Sequence, residues 1–157
     1  MPVRRVAPSP LLLEGEYWRG RLARMDSVRP GLLILPRPDL SIHGMEVVEW
    51  RLRAHDGLRL WGLRCKSSFH TLPKGARIRL VESCQRPEPE LAAITEGVAD
   101  FVYQVPAGRK LEDRVLDCLR VLHVVADQCG VAPEGVRFEG SSDEFMIAAK
   151  LVAEGIC

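Results

Sequence analysis

Apolar and polar positions alternate most regularly in MEVVEWRLR, where Val48, Trp50 and Leu52 fall on one side and Glu49, Arg51 and Arg53 on the other. A period of two marks a half-buried strand. LRLWGLRC follows after AHDG, and the two runs predict an antiparallel hairpin turned at Asp56-Gly57. Gly62, inside the second run, is expected to mark a bulge. Beyond it, strand-like runs at Arg77–Val81, Asp100–Val105 and Gly135–Glu139 alternate with helical patterns. One helix is expected to start near Glu88 and stop at Gly97, and another spans Lys110 to Cys129. The last opens at Asp143 with acidic residues in its first turn, where the helix dipole favours them. In the longest, Leu111, Val115, Cys118, Leu119, Leu122, Val125, Ala126 and Cys129 recur at three- and four-residue spacing, which builds one apolar face. Strands that alternate with helices predict an α/β fold. The expected form is a three-layer sandwich whose mostly parallel sheet is preceded by an antiparallel hairpin.

Before this pattern the chain reads differently. Prolines at 2, 8, 10, 30, 36 and 38 forbid long helices, so residues 1–44 are expected to form a proline-rich arm and residues 45–157 the domain. EYWRGRLARMDSV has room for a short helix with Trp18 and Leu22 on one face. That segment is expected to pack over a sheet edge or onto a neighbouring chain. Trp50 points with Val48 and Leu52 and is expected in the core. Trp61 shares its face with Arg59 and Leu63, which suits a place under the arm or in a partner's interface.

At 157 residues the chain fits one domain with a core of its own. The 22 basic and 21 acidic residues leave a net charge of +1, which argues against a nucleic-acid-binding protein. Arg19, Arg21 and Arg24 do crowd one segment. The five cysteines have no C-x-x-C spacing, and free thiols in a reducing, cytoplasmic setting are expected. The apolar run Leu11–Leu13 is too short for a signal peptide, and no run approaches the roughly 18 residues that span a bilayer. No membrane association, metal or other cofactor is expected: no ligand set has metal-binding spacing, and there is no G-x-G-x-x-G or Walker-type loop.

Three stretches carry a family resemblance. VVEWRLRAHDGLRLWGLRC resembles the opening hairpin of an α/β-hydrolase, LEDRVLDCLRVLHVVADQCGVAPEGVRFEG the helix and strand that lead to its nucleophile, and GSSDEFMIAAKLVAEG the nucleophile turn with its following helix. Their order over about Met45 to Ile156 is similar to the N-terminal half of the esterase and acetyl-xylan-esterase-like branches. In the G-x-S-x-G frame, Gly140 is the first glycine and Ser142 stands at the nucleophile position. The backbone N–H of Asp143 would supply half an oxyanion hole. Glu144 replaces the second glycine, and Glu82 begins the loop where the other half would lie; negative charge there has the wrong sign for a developing oxyanion. The family places its acid and histidine after the serine, but only fifteen residues follow Ser142 and all four histidines precede it. His55 belongs to the hairpin turn and His123 to a helix flank, so neither is well placed as a base.

The simpler expectation for GSSDE is a helix cap, in which Ser141 or Ser142 accepts first-turn N–H groups. Ser83, Cys84 and Pro106, together with Ser142, fall at the C-terminal ends of the strands, where open α/β sheets bind ligands. Cys118 and Cys129 are expected in the core, and His70 in a loop. The resemblance also implies further strands beside Gly135–Glu139, so an unpaired edge is expected there. The leading expectation is thus a catalytically incomplete α/β-hydrolase-like protein. It would act as a homo-oligomer through the sheet edge or N-terminal arm, or with a complementary chain. The alternatives are a serine esterase on small acyl esters, its base an unusual histidine or another chain's, and a small-ligand binder at the strand ends.

Overall fold

The computed structural model describes residues 15–42, 44–69, 73–90 and 95–156. In chain order the elements are α1 (Gly15–Asp26), β1 (Leu33–Pro36), β2 (Met45–Arg53), β3 (Arg59–Ser67), β4 (Ala76–Val81), β5 (Ala99–Gln104), α2 (Leu111–Cys129), β6 (Val136–Phe138) and α3 (Asp143–Ala153). They build one six-stranded sheet in the order β1-β2-β3-β5-β4-β6. Pairing is antiparallel from β1 through β3 to β5, and parallel where β4 joins β5 and β6. The expected hairpin, three later strands and two of the later helices are all present. Parallel pairing is confined to β5, β4 and β6, and α2 is the crossover that carries the chain from β5 to β6.

Alternation along each strand divides the sheet into two faces. One carries Trp50, Leu52, Leu60, Ile78, Phe101 and Tyr103, which pack with the buried stripes of α1, α2 and α3 into the main core. The other carries a smaller cluster of Met45, Val47, Leu63, Cys65 and Val102. Cys118 and Cys129 are buried in the main core as expected, and Cys84 is exposed.

The N-terminal segment is more integrated than its prolines suggest. Trp18, Leu22 and Met25, spaced by four and three residues, give α1 a buried face. Trp18 is fully buried in the main core. The Arg120 guanidinium of α2 donates to Met25 O and Val28 O at the end of α1 and to Arg53 O. A cation there satisfies carbonyls that a helix end leaves open. β1 was not expected. Proline lacks an N–H, but β1 is the outermost strand, where that loss is tolerated.

Two expectations need correction. Gly62 is not a bulge, since the β2–β3 register runs unbroken from Met45↔Ser67 to Arg53↔Arg59. It marks a close approach: a Cβ on Gly62 would lie 2.1 Å from Val102 O and 2.6 Å from the Trp50 ring. The helix expected from Glu88 does not begin there, because residues 86–90 carry no regular structure. Pro87 and Pro89 disfavour helical backbone in the residues before them. Residues 91–94 lie outside the described residues; Thr95 is helical and Gly97 turns with φ 73°. His43, His70 and Cys157 also lie outside them.

Candidate functional site

The loops after β4, β5 and β6 leave from one edge of the sheet, because those strands run parallel. The β2–β3 turn reaches the same edge, since β3 begins beside the end of β5 in the antiparallel register. Ser83, Cys84, Pro106, Ser142 and Asp143 therefore belong to this edge. Ser83 and Cys84 are exposed in the loop after β4, and Pro106 is half-buried in the loop after β5. Gln104 ties these segments together: its side-chain N–H donates to Ser83 O and Gln85 O, and its Oε1 accepts the Trp61 indole N–H at 3.0 Å.

Ser142 occupies the N-cap of α3 with φ −71° and ψ 151°. Gly140, two residues earlier, absorbs the turn with φ 120°, a conformation reserved for glycine. Among the described residues, no non-glycine residue has positive φ, so Ser142 sits on relaxed, extended backbone. The expected serine cap bond is not made at Ser142: its side chain forms no capping hydrogen bond. The Oγ is closed to solvent and has no hydrogen-bond partner among the described residues. Asp143 is the first residue of α3, so its N–H has no partner within the helix.

Two guanidinium clamps lie at the N-terminal end of α2, and neither was read from the sequence. Arg114, in the first turns of α2, donates to Glu144 Oε1 through Nε at 2.9 Å and Nη2 at 2.6 Å, and to Glu82 Oε1 at 3.0 Å. Glu144 is buried. The two carboxylates expected to spoil an oxyanion site are thus tied to one cation. Burial opposes the Arg114 charge, but the bonds to Glu144 and Glu82 outweigh it, and its pKa rises. Arg109 similarly joins Asp56 of the hairpin turn to buried Asp117 of α2. Burial pushes the Asp117 carboxyl up, against the pull of Arg109. Beneath both clamps lies Tyr103, fully enclosed, whose phenol burial holds well above its ordinary value. The signal for Arg114 in the sequence is an arginine beside the apolar stripe, one of two in the helix that precedes the nucleophile frame.

The described histidines do not serve Ser142. His55 Nε2 lies 2.9 Å from Asp113 Oδ1, and His123 is half-buried on α2. A serine nucleophile needs a base in hydrogen-bond reach of its oxygen, and none of the described residues fills that role. No group of three or more His, Cys, Asp or Glu side chains among the described residues is arranged to hold a metal ion. No helix among them is long and apolar enough to cross a membrane.

The sheet order, the helices that follow β5 and β6, and the serine turn after β6 define an α/β-hydrolase-like half-domain with an open sheet. Solved structures agree. An acetyl xylan esterase from Paenibacillus sp. R4 superposes with a TM-score of 0.73 at 16% identity, over 97% of this chain and 57% of that one. Acetyl xylan esterase 1 from Thermoanaerobacterium sp. JW/SL YS485 gives 0.73 at 17% identity, over 98% and 59%. A cold-adapted esterase from an Arctic intertidal metagenomic library gives 0.52 at 12% identity, over 73% and 55%. This chain spans less than two thirds of each of those structures. No family model matches it, and no curated protein matches it in sequence.

Proposed function

We propose that this chain is a hydrolase-like scaffold that acts by association, with a second copy pairing along the free edge of β6. The observation that carries this reading is the composition of that edge. β6 ends the sheet, and beside it a largely apolar cleft of about 240 Å³ is lined by Pro133, Val136, Phe138, Ala149, Val152 and Ala153, with Glu134 at its border. Unpaired strand edges recruit further strands, and a two-fold axis is the usual way two copies meet. An antiparallel register centred on Phe138 would set Arg137 of each copy opposite Glu139 of the other. Within one chain these two residues already pair at 3.3 Å, both about half exposed, so an exchange of partners loses no charge pairing. Because β6 is only three residues long, the cleft must supply most of the buried area. The enclosed Ser142 Oγ and the Arg114 clamp support a role other than catalysis by this chain alone.

Sedimentation equilibrium across the micromolar range tests the reading. The expected result is a concentration-dependent dimer. Ala149→Arg, at an exposed cleft position, should abolish it, and so should Arg137→Glu. The swap Arg137→Glu with Glu139→Arg should restore it. A wild-type monomer at every concentration would defeat the proposal, and assembly only with a different chain would favour a complementary partner instead.

The fold likeness to esterases favours a second reading, a serine esterase on small acyl esters. In that reading Ser142 attacks, the Asp143 N–H steadies the oxyanion, and the base arrives from another chain.

A further inference from the structure

The sheet face away from α1, α2 and α3 carries an unbalanced group of arginines. The β2–β3 register sets Arg53 opposite Arg59, Arg51 opposite Trp61, and Glu49 opposite Leu63, all on this face. Leu33 of β1 joins the second of these rungs and is 48% exposed. Glu49 is bound by both Arg37 and Arg51. Arg53 and Arg59 are exposed and have no carboxylate partner among the described residues. Like charges directly opposite across a sheet are destabilising, and no carboxylate among the described residues pairs with this rung. Next to it, Trp61 is half-buried with its indole N–H anchored on Gln104. Its ring lines a cleft of about 160 Å³ with Arg37, Leu40, Leu63, Arg86, Pro87, Pro89 and one carboxylate, Glu88. Arg86 is likewise exposed and without an ion pair among the described residues. Three unmatched guanidinium groups thus flank one aromatic cleft, in a chain whose whole net charge is +1.

We infer that this face binds an acidic, extended protein segment, with an apolar side chain seated against Trp61 and carboxylates on Arg53, Arg59 and Arg86. The planar guanidinium fork matches a carboxylate in two-point geometry. Alternate residues of an extended segment repeat at about 6.5–7 Å, which is also the spacing of successive rungs along β2 and β3. A half-buried tryptophan ringed by cations is the usual composition of a binding anchor. Single-stranded nucleic acid fits less well, because it is held by successive stacking rings and this face offers one. The inference is independent of pairing at β6, which lies at the opposite end of the sheet.

The test is a fluorescence-anisotropy titration with a labelled peptide of alternating Glu and Ser around one central Leu. Saturable binding is expected, weakening as salt is raised. Tryptophan emission should shift with it, and the shift would report Trp61, since Trp18 and Trp50 are 0% and 4% exposed. Arg59→Glu should weaken binding at least about tenfold, as loss of a charge-assisted contact does. The same change turns the Arg53–Arg59 rung into an opposite-charge pair, so the unfolding midpoint should hold or rise. Arg24→Glu, an exposed cation on α1, should leave binding unchanged. The inference fails if the peptide does not bind. It also fails if Arg24→Glu weakens binding as much as Arg59→Glu, or if oligouridylate of equal charge binds more tightly than the peptide.

Discussion

At the scale of single residues, the serine turn is decided by where one hydroxyl points. Ser142 stands at the N-cap of α3 after β6, and its Oγ is enclosed and unpartnered among the described residues. A thiolate or alkoxide nucleophile gains its reactivity from an adjacent base, and the neighbourhood holds instead two carboxylates, Glu82 and Glu144, clamped on the one guanidinium of Arg114. The expectation is therefore no adduct when the folded chain is exposed to a fluorophosphonate probe and read by intact mass. A single adduct lost in Ser142→Ala would show an activated serine and promote the esterase reading. The sequence exposed both glutamates and their sign, because each occupies a position where the family resemblance makes a charge conspicuous. It concealed Arg114, because the partner lies about thirty positions away from each and only the meeting of α2 with the sheet edge unites them.

At the scale of elements, periodicity was legible wherever an element buries one face and not where it is defined by its neighbour. The hairpin, α2 and α3 have regular spacing and were readable to within a few residues. β1 is four residues with a burial pattern that shows no alternation, held only by pairing to β2, so its sequence carries no period. Helix α2 also carries a titration that reaches stability. His123 is half-buried there; burial lowers its pKa, Asp26 pulls the other way and Arg120 adds to the lowering. The unfolded chain then takes up its proton first, at about pH 6.5. Stability attributable to neutral His123 is present above that pH and is lost as the pH falls toward the lower folded value. Urea unfolding followed from pH 7.5 to pH 5 should show falling stability, and His123→Gln should flatten that slope. An unchanged slope in the variant would place the dependence on other groups.

At the scale of the whole molecule, the remaining question is whether the proline-rich beginning is an appendage or part of the cooperative unit. Its prolines do prevent a long helix, and this made an arm over residues 1–44 the natural reading of the sequence. Yet Trp18 on α1 and Trp50 on β2 share one core with α2 and α3, and Arg120 locks the end of α1 to the end of β2. A segment whose apolar face has no other partner cannot leave without opening that core, so α1 should unfold with the sheet rather than before it. Far-UV circular dichroism and tryptophan fluorescence should give coincident denaturation curves. Trp18→Ala, which empties the largest fully buried side chain in the N-terminal segment, should cost about 3–5 kcal/mol and shift both curves together. If instead an early loss of helical signal separated from an unmoved fluorescence transition, α1 would be a detachable arm, and residues 45–157 would fold as the domain their alternation first suggested.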